Sequence, residues 1–254
     1  MIFSSQGQNE GPLAKIYIND LNCLKNFFVR GDLGWAESYI EKLWTTDHLS
    51  DFLQWGAMNF KYFSKYIRGK WYIILYLRLK HYLNSNTKIG SKKNITYHYD
   101  LGNGFYESWL DKSMTYSSAI FQNENQRLYQ AQINKFKKLA SLCRVKENDK
   151  VLEIGCGWGA YSIFLAKTRM VNVDAITISK KQYEVVKKKI FEEGLNQKIN
   201  VKLLDYRDIK GKYDKIFSIE MFEAVGEKYW TVYFDKVKSH LKENGRFGLQ
   251  TITI

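Results

Sequence analysis

Residues 151–159 read Val151-Leu152-Glu153-Ile154-Gly155-Cys156-Gly157-Trp158-Gly159. A short apolar run that stops on three alternate glycines predicts a buried strand leading into a tight turn, with a helix opening at about residue 159. Glycine suits that turn because it takes positive φ freely and lets a ligand approach the backbone. The helix amino terminus that follows favours a ligand's carboxylate. In an open α/β sheet such a turn lies where ligands bind, outside the carboxyl ends of the strands. The chain around it alternates accordingly. Strands are predicted at 150–154, 172–178, 200–204, 214–219 and 246–253, and helices at 126–142, 159–168, 180–193 and 229–241. This order predicts a parallel sheet with helices on both faces.

The glycine turn by itself leaves the ligand open. Gly155-x-Gly157-x-x-Ala160 also satisfies the dinucleotide pattern of nicotinamide enzymes. Two details argue against a dinucleotide. Glu153 stands inside the first strand, two residues before the glycines, where methyltransferases carry an acid. The second strand ends Ile176-Thr177-Ile178-Ser179 with no acidic residue at its tip for a ribose, and Asp174 stands at its start. Both weigh toward S-adenosylmethionine (SAM), but the turn alone does not exclude a dinucleotide, and the choice waits on the motifs that flank it.

Composition sets outer bounds. A chain of 254 residues with 45% hydrophobic and 16% aromatic content can bury a substantial core, which argues against disorder. A formal charge of +13 points to a polyanionic partner, nucleic acid or an anionic membrane surface. Cys23, Cys143 and Cys156 are far apart, without metal-type spacing, which fits a reducing cytoplasm. The amino terminus carries no signal-peptide pattern. The best apolar run, Trp71 to Leu77, falls far short of the ~20 residues of a membrane-spanning helix. Between Asp51 and Asp100 no acidic residue occurs, while lysines and arginines accumulate among Phe60, Tyr62, Phe63, Tyr66, Trp71, Tyr72, Tyr76 and Tyr82. Residues 57–83 fit a basic aromatic helix, able either to lie on an anionic bilayer or to pack as an ordinary amphipathic element. Ahead of it, Phe27 to Leu53 reads as one or two short helices around Gly31-Asp32-Leu33-Gly34, and Ile16-Tyr17-Ile18 as a strand without an evident partner. Two regions are therefore expected: a mainly helical one over 1–93 and the α/β domain over 94–254.

Three further blocks carry a resemblance. They are Tyr97-His98-Tyr99-Asp100-Leu101-Gly102-Asn103 with Met114-Thr115-Tyr116-Ser117, Asp205-Tyr206-Arg207-Asp208, and Ser218-Ile219-Glu220-Met221-Phe222-Glu223-Ala224-Val225-Gly226. With the glycine turn they closely resemble the cyclopropane-fatty-acyl-phospholipid synthases and their mycolic-acid and fatty-acid methyltransferase relatives. The match runs nearly unbroken from about 94 to 254 and is weaker at Gly34-Trp35-Ala36-Glu37-Ser38-Tyr39 and Trp44. It implies a class I methyltransferase (Rossmann-like) fold and SAM-dependent methylation of the double bond of an unsaturated phospholipid acyl chain. It further implies that Tyr116 and Ser117 touch the methionine part of SAM, and that Gly155, Gly157 and Gly159, with Glu153, form its cradle. Thr177, Ile178 and Gln182 would surround the ribose, while Tyr206 and Ile219 border the adenine or the reaction centre.

An alkene is a weak nucleophile, so its π-bond must be aligned with the sulfonium methyl in a dry slot. A base must then take a proton if a cyclopropane is to close. For that step the resemblance implies a bound bicarbonate, held by a cysteine, a glutamate, a histidine, an isoleucine backbone group and a later tyrosine. Here Glu223 and Ile252 match, Ser118 stands at the cysteine position and Gln250 at the histidine position; both can still donate to an anion. The resemblance also implies strands beyond residue 254. The sheet is thus expected to be incomplete at its carboxyl-terminal end, the chain a fragment or truncation with weak SAM binding or no turnover. Its apolar edge would invite pairing with another chain, for instance in a homodimer. The expected setting is cytoplasmic, peripheral at the inner membrane face, with lipid rather than nucleic acid as partner; no Asn/Asp-Pro-Pro-Tyr motif of amino-methylating enzymes occurs. A methyl-branched product and an inactive lipid-surface module remain as the other readings.

Overall fold

The computed structural model describes residues 11–61 and 103–253. The chain forms two compact units, Met1–Asn84 and Ser85–Ile254, where the sequence placed its division at 93/94.

In the first unit, β1 (Tyr17–Ile18) pairs antiparallel with β2 (Trp44–Thr45), a partner separated too far in sequence for local pattern to reveal. Helices α1 (Asn22–Arg30) and α2 (Asp32–Ile40) flank Gly31, and α3 spans Leu49–Met58. Trp44 anchors this unit. It is 2% exposed, stacks on Trp35 with ring centroids 4.6 Å apart, and donates its indole N–H to the Trp35 carbonyl at 2.9 Å. A buried indole needs such a partner. The basic aromatic stretch beyond residue 61, and the block from Tyr97 to Gly102, lie outside the described residues.

The second unit holds a five-stranded parallel sheet in the order β5-β4-β3-β6-β7. Its strands are β3 (Lys150–Ile154), β4 (Asn172–Thr177), β5 (Ile199–Leu203), β6 (Tyr213–Ile219) and β7 (Leu241–Gln250). From β3 the chain winds outward to β5, then returns to place β6 on the other side of β3, with Val151 opposite Lys215. The reversal between β3 and β6 opens a crevice at their carboxyl ends.

Strand parity decides the two cores. Val151, Val173, Ala175 and Phe217 pack beneath helices α5 (Leu128–Leu142), α6 (Ala160–Arg169) and α7 (Lys180–Glu192). Leu152, Ile154, Ile176 and Ile216 face Tyr233 and Val237 of α8 (Trp230–His240) on the other side. Because both faces are covered, these strands read as continuous apolar runs. Ser179 starts α7 by accepting the Gln182 backbone N–H at 3.3 Å, a cap contributing about 1 kcal/mol.

Three features differ from the sequence expectation. A short helix, α4 (Asn103–Glu107), precedes the sheet. Single 3₁₀ turns occupy Tyr206–Asp208, Phe222–Ala224 and Glu227–Tyr229. β7 starts early, with Leu241 opposite Tyr213, but the ladder then jumps to Arg246 opposite Lys215. Residues 242–245 bulge out, with Asn244 at φ 62°, so the alternating signal begins only at 246.

Candidate active site

A cavity of about 640 Å³ occupies the crevice at the carboxyl ends of β3, β4 and β6. That size lies within the usual range for small-molecule sites. Most of the residues singled out in the sequence line it. Tyr116 and Ser117 come from the segment ahead of α5, and Glu153, Gly155 and Gly157 from β3 and its turn. Thr177, Ile178 and Gln182 come from the β4–α7 junction, Tyr206 from the turn after β5, and Ile219, Glu223 and Ile252 from the ends of β6 and β7. Gly159, Ser118 and Gln250 are not in its wall.

The three glycines do different work. At Gly155, φ is 77° and a Cβ would lie 2.5 Å from Met221 Cγ, so the close partner is the chain itself. At Gly159, φ is 83° and a Cβ would meet Val186 at 2.9 Å; this glycine caps α6 and seats it on α7. Only Gly157, at φ 53°, has nothing within 4 Å of where a Cβ would be. Its backbone is open to a ligand.

Beside the turn lies Glu153, 3% exposed, whose carboxylate accepts a short hydrogen bond from the Ser162 hydroxyl of α6. Burial pushes its pKa up to about 8 against the opposing pull of that hydrogen bond. Lys135 of α5 is also buried, and loss of water brings its pKa down to about 8. Its ammonium donates to Ser117 Oγ at 2.5 Å, while Gln132 Nε2 donates to the Ser117 carbonyl at 2.7 Å. These two bonds fix the Tyr116–Ser117 segment at the cavity wall. Tyr116 packs against Tyr106 of α4, whose ring lies 4.9 Å from Trp158 of the glycine turn.

On the adjacent wall, Thr177 Oγ1 donates to Gln182 Oε1 at 2.9 Å, so strand end and helix start are tied side chain to side chain. Asp174 is turned to Lys202, Asn200 and Tyr213 and takes no part in the cavity. Thus no β4 carboxylate is available for a ribose. Asp205, after β5, lines the cavity and holds the Arg207 guanidinium through two 2.8 Å contacts.

At the far rim, the residues proposed for an anion site fall into two groups. Ser118 N–H and Oγ–H donate to Glu220 Oε1 at 2.9 and 2.7 Å, and Gln250 Nε2 donates to the same oxygen at 2.8 Å. Glu223 Oε1 instead accepts from Thr251 Oγ1 at 2.9 Å and from the Ile252 N–H at 2.6 Å. Both carboxylates line the cavity. Glu220 was missed in the sequence, although it lies inside a motif used for the resemblance. Its backbone at φ 46°, which turns it out of β6, leaves no trace in a residue pattern. Asp205, Arg207 and Lys135 were also missed; for Asp205 the available signal was an acid just past a strand end.

The charge of the cavity is opposite to that of the chain. Asp205, Glu220 and Glu223 line it beside the buried, protonated Glu153, with Arg207 the one basic residue among its described lining, whereas the whole chain carries +13. Such a site suits a cationic ligand and disfavours a pyrophosphate.

Comparison with known proteins agrees with this geometry. The chain is 39% identical over 163 residues to a probable fatty acid methyltransferase of Pseudomonas putida, covering 63% of this chain and 41% of that protein. It is 34% identical over 256 residues to the cyclopropane-fatty-acyl-phospholipid synthase of Escherichia coli K12, covering 96% of this chain and 62% of that one. It therefore spans between two fifths and about three fifths of the length of these curated relatives. Among solved structures, mycolic acid cyclopropane synthase CmaA1 complexed with SAH and CTAB superposes with a TM-score of 0.60 at 29% identity, over 62% of this chain and 55% of that one. The expected class I methyltransferase fold is the one observed. Residues 86–254 match the family model described as mycolic acid cyclopropane synthetase, and the chain belongs to that family.

Proposed function

We propose that this chain carries the cofactor site and reaction centre of a SAM-dependent methyltransferase acting on the double bond of an unsaturated phospholipid acyl chain, giving a cyclopropane. The observation that carries the proposal is the carboxylate-lined cavity at the sheet's switch point in a strongly basic chain. A sulfonium cofactor is cationic at sulfur and at its amino group, and the acidic field of this lining complements it without depending on any one carboxylate. The open backbone at Gly157 and the fixed Tyr116–Ser117 segment fit its amino-acid portion. Thr177, Gln182 and Tyr206 fit the nucleoside side of the cavity. The CmaA1 complex with SAH supports this choice of ligand.

When bound, SAM supplies an electrophilic methyl group to an acyl double bond. The chain's part is to orient that bond and exclude water. Apolar wall residues such as Ile219, Met221 and Val225 serve both ends by giving an alkene an apolar contact surface. The basic character of the chain outside the cavity suits an anionic bilayer as the place where the acyl chain is met, at a cytoplasmic membrane face. Among the described residues no helix is long and apolar enough to cross a membrane.

The test is to incubate the full-length protein with methyl-labelled SAM and vesicles of unsaturated phosphatidylglycerol, then examine the acyl chains by mass spectrometry and NMR. Gain of one CH₂ with loss of the alkene and appearance of ring protons is expected. A methyl branch would move the assignment to the related fatty-acid methyltransferases. Vesicle binding without incorporation would sink the catalytic reading.

A further inference from the structure

We propose that Glu220 is the proton-accepting base of this site, a carboxylate of the chain occupying the anion subsite formed by Ser118 and Gln250, so that no inorganic anion is taken up there. The inference rests on the functional reading above.

Three donors from two separate segments converge on one oxygen of Glu220: the Ser118 N–H at 2.9 Å, the Ser118 hydroxyl at 2.7 Å and the Gln250 amide at 2.8 Å. That is the donor set of an anion site, and it is filled from within the chain. The placement is enforced by backbone as well. The Glu220 N–H donates to the Gln250 carbonyl at 2.9 Å, extending the β6–β7 ladder by one rung. The φ of 46° at Glu220 then swings its side chain back toward the Gln250 amide. A non-glycine residue in that region costs on the order of 1 kcal/mol or more, which marks the position as one held by its surroundings. Among the described residues every hydrogen bond to this carboxylate is made at Oε1, and Glu220 lines the cavity. The Ile252 N–H, the backbone donor assigned to an external anion, is likewise engaged, by Glu223 at 2.6 Å.

The chemistry balances without another reactant. After methyl transfer to one alkene carbon, the other carbon bears the positive charge. A C–H bond of the new methyl breaks, its electron pair forms the third ring bond, and the proton goes to Glu220. The neutral acid then returns that proton to water. A carboxylate fixed by three donors is prepositioned for this transfer.

The experiment uses full-length protein, SAM and vesicles of dioleoyl phosphatidylglycerol in carbon-dioxide-depleted buffer, with ¹³C-bicarbonate binding followed by NMR. The wild type is expected to turn over equally with and without added bicarbonate and to show no saturable bicarbonate signal. Glu220→Gln should lose about a hundredfold in turnover while its SAM affinity stays within about twofold by calorimetry. Glu220→Gly, which suits the positive φ, should open the subsite, bind ¹³C-bicarbonate and regain part of the rate when bicarbonate or formate is added. Saturable bicarbonate binding to the wild type, or full turnover by Glu220→Gln, overturns the inference while leaving the functional reading intact. A wild type that neither binds SAM nor modifies lipid overturns both, and calorimetry tells the two cases apart.

Discussion

The floor and the rim of the cavity are built in opposite ways. The floor is made by residues close together in the chain: the turn at 155–159 follows β3 directly, and Thr177 and Gln182 meet across five residues at one strand–helix junction. The rim is assembled from residues far apart. Ser118 and Glu220 are separated by 102 positions and Ser118 and Gln250 by 132. On the proposed function, a cofactor that recurs across many reactions needs only the floor, whereas the fate of the methylated substrate would be decided at the rim. The two should therefore be separable by mutation.

The largest effect is expected at Gly155. An alanine there would place Cβ 2.5 Å from Met221 Cγ at φ 77°, a clash combined with backbone strain. SAM affinity measured by calorimetry should fall by roughly a hundredfold or more, and an unchanged value would show that the turn has slack. Next comes Glu223→Gln, which weakens the anchor of Thr251 and Ile252. Turnover should drop by about tenfold to a hundredfold with SAM binding nearly intact; a parallel loss of affinity would erase the distinction between floor and rim.

Glu153 tests the floor through pH. Its folded pKa of about 8 lies above the ordinary value of 4.5, so the native state holds a proton that the unfolded chain releases over that window. Stability should be greatest toward pH 4.5 on this account and fall as pH rises to about 8, by an amount on the order of 5 kcal/mol. Lys135 acts with the opposite sign above that range: its pKa is lowered from 10.5 to about 8, so stability rises again from pH 8 toward 10.5. Denaturant midpoints across pH check both, and Glu153→Gln should flatten the lower limb alone. The smallest effect is expected from Gln250→Ala, which removes one of three donors to Glu220. A loss of about fivefold in turnover, equivalent to ~1 kcal/mol, is expected, with SAM affinity unmoved.

This contrast also explains what was legible in the sequence. Strand and helix positions in the second unit were read within a few residues because apolar periodicity is a local signal. The bulge at 242–245 escaped because the pairing jump belongs to two strands jointly. The β1–β2 pair escaped for the same reason, since its partners, Tyr17 with Thr45 and Ile18 with Trp44, lie 28 and 26 residues apart. At the site, Ser118, Gln250, Glu223 and Ile252 were reached through resemblance and expected around one anion; that they divide between two carboxylates was not reached. Glu220, in view within a quoted motif, was passed over because its neighbours in space are distant in sequence.

By itself, then, the sequence determined the doubly covered parallel sheet and the position of the glycine turn, which rest on short-range pattern, and the family, which rests on the resemblance of its motif blocks. Only the tertiary structure decided which carboxylate each donor serves. Hydrogen bonds between segments more than a hundred residues apart depend on the register of β6 against β7 and on a single backbone angle at Glu220, and neither is encoded in any local run of residues.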